Sequence, residues 1–310
     1  MNKYITAVIN RLTDVDLKTN YKLMRKLRRI YRKPFIKLYE TRDFYISSGT
    51  QNIPVRIFSP SKANPPELFK SVYPIIIFFH GGGWTYGDLD DYEKTCLTIA
   101  KQTSCIVAAV GYRLAPEHTF PAAFEDCYNA VKHITEQNKI SENPRDIIIM
   151  GDSAGANLAA AVSLYMRDNG EEIPSKQILI YPPTYNDHTE SSPFPSVTIN
   201  GYDYVLKLRH INAFKDMYCT QEEDRKSPYF APLLTEDFSN QPKTLIITTE
   251  YDPLRDEGEE YGRKLKEADN SVTVHRIADT CHGYFVLSAR YSVIKETYKI
   301  INNFLNQSIQ

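Results

Sequence analysis

The chain has 310 residues, 42% of them hydrophobic and 24% charged, the balance of a folded globular protein and not of a disordered one. Thirty-seven Lys and Arg against 38 Asp and Glu leave a net charge of −1, without the basic footprint that would argue for a nucleic-acid partner. The five cysteines, at 96, 105, 127, 219 and 281, are odd in number and show no CxxC spacing, as expected of reduced thiols in a cytoplasmic protein and not of a disulfide frame. Met1–Asn10 lacks the basic start and apolar core of a signal peptide. The most apolar run, Ile75–Phe79, is of strand length, far short of the ~20 residues of a membrane span.

In chain order, residues 1–40 carry 11 Lys/Arg and 3 Asp/Glu and read as helical up to Pro34. Within them Lys22–Lys37 has eight basic residues and no acid. Leu23, Leu27, Ile30 and Tyr31 fall at helical spacing, which predicts a helix that packs this stripe down and turns its cations to water. A membrane-surface or anionic partner is the competing reading. Strands are predicted at Phe44–Ser47, Val55–Phe58, Ile75–Phe79, Ile106–Val110, Ile147–Met150, Gln177–Tyr181, Thr244–Thr249 and Val272–Ile277. Helices are predicted at about 91–103, 120–138, 154–168, 258–269 and 291–306. Runs such as Ile75–Phe79 and Ile106–Val110 are apolar throughout, as in parallel strands covered on both faces. The alternation predicts a single α/β domain over 1–310, built on a mostly parallel eight-stranded sheet with helices on both faces. Residues 1–40 and about 184–225, the latter with a helical stretch Tyr204–Tyr218, break the alternation and are predicted to fold over one end of the sheet as a helical cap.

Glycine is scarce, 13 of 310, about 4% against an average near ~7%, so its positions carry weight. Gly151-Asp152-Ser153-Ala154-Gly155 lies between a predicted strand and an Ala-rich helix. A serine nucleophile needs such a sharp strand-to-helix turn to lift its Oγ clear, and the crowding of that turn calls for glycine two residues to either side. The motif alone is common by chance; the strand–turn–helix context is what gives it meaning. His80-Gly81-Gly82-Gly83-Trp84 follows the strand Ile75–Phe79. Consecutive glycines let backbone N–H groups approach a developing oxyanion with no Cβ in the way. A phosphate-binding loop would need the Lys-Ser/Thr or the spaced-glycine pattern, and neither follows.

A serine needs a base, and in this type of hydrolase the triad runs serine, acid, histidine along the chain. Histidines 80, 118, 133, 188 and 210 lie too early or in the predicted cap. His275 falls inside the strand Val272–Ile277, where its side chain would face a helix or the core. His282 follows that strand in a short loop beside Gly283 and is the predicted base. The acid should leave the end of Thr244–Thr249, which places Asp252 best. Glu250 and Asp256 compete, the latter better suited to open the following helix.

Together these residues resemble the hormone-sensitive-lipase-like branch of the α/β-hydrolases, which includes bacterial acetyl esterases and carboxylesterases. The likeness rests on His80–Trp84, Gly111–His118, Phe120–Ala123, Gly151–Asn157, Asp252–Gly258 and His282-Gly283, in order along the chain. The resemblance implies Ser153 as nucleophile, Asp252 as acid and His282 as base. It implies an oxyanion hole from the N–H groups of Gly82, Gly83 and Ala154, with His80 and Gly81 supporting that loop. Arg113, Glu117 and Asp126 would be structural, and no metal or organic cofactor is implied. The expected activity is hydrolysis of short-chain acyl esters through an acyl-enzyme. Amidase, lactonase or peptidase action on the same triad is the alternative, followed by a binding protein of this fold without catalysis. Trp84, Tyr86, Tyr185, Phe194 and Tyr204 are the candidates for the pocket wall. A small-molecule ester is the expected partner, with a homodimer left open. Cys281, next to the presumed base, reads as a passive half-buried thiol, with a redox response as the sharper alternative.

Overall fold

The computed structural model describes residues 16–31, 41–49, 51–61, 73–139 and 146–307. Eight strands form one sheet: β1 (Arg42–Ser48), β2 (Gln51–Phe58), β3 (Ile75–Phe79), β4 (Ile106–Val110), β5 (Ile147–Asp152), β6 (Lys176–Ile180), β7 (Lys243–Tyr251) and β8 (Val272–Cys281). Their spatial order is β1-β2-β4-β3-β5-β6-β7-β8. The β1–β2 and β2–β4 pairings are antiparallel and all the others parallel, as the apolar runs predict. The helices are α1 (Leu17–Tyr31), α2 (Glu93–Thr103), α3 (Ala122–Lys139), α4 (Ala154–Asp168), α5 (Pro195–Asn200), α6 (Leu208–Tyr218), α7 (Arg255–Glu267) and α8 (Ser292–Leu305).

The pleat sorts each strand onto two faces. Ile75, Ile77 and Phe79 of β3 pack with Ala130 and Val131 of α3 and Leu158 and Val162 of α4. Ile76 and Phe78 turn the other way, towards Cys96 and Ile99 of α2 and Ile301 and Phe304 of α8. Every residue of β3, β4, β5 and β6 is buried, which is why these strands show no polar alternation. After β3 the chain steps to β4 on one side and then returns to lay β5 on the other. The carboxyl ends of β3 and β5 therefore flank a switch point, where an open α/β sheet leaves a crevice for a ligand.

The regions outside the alternation depart in part from expectation. In α1, Leu23 is exposed, whereas Arg25 turns inward; Ile30, Tyr31 and the basic residues beyond them are outside those whose side chains are described. A guanidinium fork fills several acceptors at once: Arg25 donates to the carbonyls of Thr85 (2.9 Å) and Ala115 (2.6 Å) and to both oxygens of Glu117. The predicted helix Tyr204–Tyr218 starts four residues later, at Leu208, because Gly201–Leu206 forms a turn whose first carbonyl accepts the Leu208 N–H. Among the described residues no helix is long and apolar enough to cross a membrane.

Candidate active site

Ser153 sits between the end of β5 and the first turn of α4 with φ 52° and ψ −123°. A non-glycine residue in such a conformation stores of order 1–3 kcal/mol of strain and persists only where its surroundings hold it. Here its N–H donates to the Ile180 carbonyl (2.9 Å) and its carbonyl accepts from Ala156 and Asn157. The flanking glycines are required by close approach. A Cβ on Gly151 would overlap the Gly155 carbonyl, and one on Gly155 would overlap the carbonyl of Phe79 at the end of β3. Asn157, one turn into α4, donates to the carbonyls of Pro183 (3.0 Å) and Phe230 (2.8 Å) and ties the turn to the segment above it.

His282 lies just beyond β8, with Nε2 2.8 Å from Ser153 Oγ and Nδ1 2.8 Å from Asp252 Oδ2. Asp252 is fully buried; its Oδ2 also accepts from Thr249 Oγ1 (3.0 Å) and its Oδ1 from the Leu254 N–H (3.0 Å). The competing acids are spent elsewhere: Glu250 accepts the Asp279 N–H, and Asp256, in the first turn of α7, pairs with Arg255 and the Ser196 N–H. His275 is on β8 as expected, but it is solvent-exposed there and not buried against a helix or the core. Only Tyr251 and Cys281 extend the β7–β8 pairing past the bulge at Thr249, and that irregular end brings His282 over towards β5.

The loop after β3 carries Gly82 at φ 121° and Gly83 at φ 59°, a region that favours glycine. A Cβ on Gly83 would also overlap the ring of Phe214 on α6. The Gly82 carbonyl is occupied by the N–H groups of Thr85 and Tyr86, whereas among the described residues the N–H groups of Gly82 and Gly83 have no backbone acceptor. The Ala154 N–H is the first of α4, left open by helix geometry, and the positive end of a 15-residue helix lies behind it. His80 is buried and holds the loop from below. Its Nδ1 is 2.9 Å from the Gly81 carbonyl, its ring stacks on Tyr112 at 4.3 Å, and its own carbonyl accepts the Tyr112 hydroxyl. Burial drives its pKa down to about 4, so the ring is neutral at physiological pH. Arg113 forks onto Asp126, as the structural reading has it.

A cavity of about 270 Å³ opens beside Ser153 and His282. Trp84, Tyr86 and Tyr185, three of the five candidates for the pocket wall, line it. Phe194 and Tyr204 do not. Phe194 stands behind the wall, edge-on to Tyr185 at 5.2 Å, and Tyr204 stacks on Tyr251 at 5.0 Å. Their places are taken by Leu206, Ile211, Phe214 and Phe230. Ile211 and Phe214 are three apart on α6 and hence on one face of it, a pattern present in the sequence but without a mark of what that face covers. Cys281 is half-buried, and burial raises its pKa above the ordinary thiol value. That keeps it protonated and disfavours a reactive thiolate.

The chain belongs to the α/β-hydrolase-fold family, whose model matches residues 76–286, in its hormone-sensitive-lipase-like branch. It is 34% identical over 249 residues to an arylesterase of Saccharolobus solfataricus, covering 79% of this chain and 77% of that one. It is 32% identical over 246 residues to an ethyl acetate hydrolase of Pseudomonas putida, covering 79% and 74%. Among solved structures, a hyperthermophilic esterase from the archaeon Pyrobaculum calidifontis superposes with a TM-score of 0.81 at 31% identity, covering 98% of this chain and 97% of that one.

Proposed function

We propose that this protein is a serine carboxylesterase in which Ser153 is the nucleophile, His282 the base and Asp252 the acid. The observation that carries the reading is the continuous line from Ser153 Oγ through His282 to Asp252, at 2.8 Å on either side of the imidazole. With Nδ1–H donating to the Asp252 carboxylate, Nε2 is left to accept the serine proton, and Asp252 supports the imidazolium that results. Oγ attacks the ester carbonyl, and the oxyanion is received by the N–H groups of Gly82, Gly83 and Ala154. Such donors matter because each can contribute about 10²–10³ in rate. His282 then protonates the leaving alcohol, and water hydrolyses the acyl-enzyme by the same path in reverse. In this reading α1 together with the 184–225 segment is the cap of a single domain, since Arg28, Leu206, Ile211 and Phe214 line the cavity with Ser153.

The substrate is a small-molecule ester with a short acyl chain. The supporting observation is the cavity of about 270 Å³, slightly under the ~300–1,000 Å³ of pockets that take drug-sized ligands. A panel of nitrophenyl esters from acetate to laurate tests this. The expected maximum of kcat/KM falls between two and six acyl carbons; a maximum at ten or more would contradict the short-chain reading.

A further inference from the structure

We propose that Asp152 is a positioning residue for this reaction: its buried carboxylate fastens both the root of the oxyanion loop and the tyrosine beside His282 to the turn that carries Ser153. The inference rests on the serine-esterase reading above and names a residue that reading does not use. Asp152 is the last residue of β5 and is 2% exposed. Its Oδ1 accepts the Gly81 N–H at 2.8 Å. Its Oδ2 accepts the hydroxyls of Tyr92 at 3.0 Å and Tyr181 at 3.2 Å. The Tyr92 hydroxyl also lies 3.1 Å from the Gly81 nitrogen, so two of the partners are themselves joined. Tyr181 immediately follows β6 at φ 39°, with its ring centroid 4.5 Å from that of His282.

One carboxylate thus gathers donors from the loop after β3, from the residue before α2 and from the end of β6. Among the described residues no Lys or Arg forms an ion pair with it; three hydrogen bonds do that work. An unpaired buried carboxylate is otherwise penalised by several kcal/mol, so its retention beside the nucleophile calls for a purpose. Two follow from the geometry. Gly81 is covalently next to Gly82, so fixing its N–H fixes the direction of the following amides. The negative charge also lies near His282 and favours the imidazolium formed when Ser153 gives up its proton.

Burial, opposed by these hydrogen bonds and by His282, holds the Asp152 carboxyl up at about 6. The other titratable groups around it are Tyr92 and Cys96 from the α2 side, Tyr112 after β4 and Tyr181 after β6. Burial pushes all four well above their ordinary values, so they stay neutral as the pH falls. Of these five groups Asp152 alone changes charge on the acid side, losing it as the pH falls through about 6; His80, packed on Tyr92 and Tyr112, gains its proton only lower, near 4. A carboxylate that must be ionised alongside a deprotonated base gives an acid limb of log(kcat/KM) steeper than one decade per pH unit; the base alone gives a slope of one.

The experiment is the pH profile of nitrophenyl butyrate hydrolysis for the wild type, Asp152→Asn and Tyr92→Phe, read at the isosbestic wavelength of nitrophenol. Wild-type turnover at pH 8 checks the esterase reading itself; its absence would remove that reading, and the positioning role with it, before any variant is compared. Given turnover, Asp152→Asn is expected to lower kcat by about 10–100-fold, the order of effect that a misplacement near 1 Å produces, with KM within about threefold. Its acid limb should relax to a slope of one. Tyr92→Phe removes a bond that favours the carboxylate, so its acid limb should move to higher pH. If Asp152→Asn does not fold, the direction of the Tyr92→Phe shift decides alone. Acid limbs that superimpose on the wild type after scaling, or a Tyr92→Phe limb that stays in place or moves to lower pH, would overturn the role.

Discussion

Replacing Ser153 with alanine is expected to lower kcat for a short nitrophenyl ester by about 10⁴–10⁶-fold, with substrate affinity little changed. The upper figure is what removal of a triad serine does elsewhere, and the residual rate reflects an oxyanion hole that still binds the transition state. The structure explains why the loss should be chemical and not a loss of fold. Alanine would occupy the same conformation at φ 52°. The N–H bond to Ile180 and the carbonyl bonds into α4 would remain. Only the 2.8 Å contact to His282 Nε2 disappears. Thermal unfolding should therefore be close to wild type, and kinetics with a melting curve on the same preparation checks both halves. Activity within tenfold of the wild type would rule out Ser153 as nucleophile.

Gly155→Ala should act through the opposite route, on the fold first. The added methyl would overlap the Phe79 carbonyl and come within 2.7 Å of the His80 carbonyl oxygen. Both are backbone atoms at the junction of β3 and the oxyanion loop, so neither can swing aside as a side-chain tip would. Overpacking of this kind is worth typically ~1–3 kcal/mol and sometimes more. The shift it forces separates Ser153 from the oxyanion donors, which adds on the order of 10² in rate. The expected result is a melting temperature lowered by several degrees together with at least a hundredfold loss of kcat/KM. Gly258→Ala in α7 serves as the comparison. There the new methyl meets nothing closer than 3.4 Å, and alanine in a helix interior is favoured over glycine by roughly 0.5–1 kcal/mol.

The contrast between these two glycines shows what can be read from the sequence. The turn at Ser153, the glycine loop after β3 and the position of His282 beside Ser153 were legible because each is marked by neighbours in the chain: a turn too crowded for Cβ, a run of glycines after an apolar strand, a histidine just past one. The central strands β3, β4 and β5 were visible for a similar reason, since a strand buried on both faces is written as a near-continuous apolar run, whereas β1, β2, β7 and β8 are only partly buried and show as β-branched and aromatic clusters. The pocket wall was legible only in part. Trp84, Tyr86 and Tyr185 lie next to motif residues or open the segment above the site. Whether Phe194 or Phe214 reaches the cavity depends instead on how α5 and α6 pack, which no local periodicity fixes. Tyr204 was misplaced because its partner, Tyr251, lies 47 positions further along the chain. Arg25 was read as one of several water-facing cations, and its three acceptors come from residues 60 and more positions away. Asp152 lies within the Gly151–Gly155 pentapeptide, but nothing local marks what it holds, because its partners Gly81, Tyr92 and Tyr181 are 29 or more positions distant.

The most direct test of the central claim, that Ser153 is a nucleophile activated by His282, is covalent labelling with a fluorophosphonate followed by peptide mass analysis. The account predicts one adduct per chain, on the peptide that carries Ser153, and none on the Ser153→Ala protein. A label on another residue, or no label on a preparation that still hydrolyses esters, would contradict it.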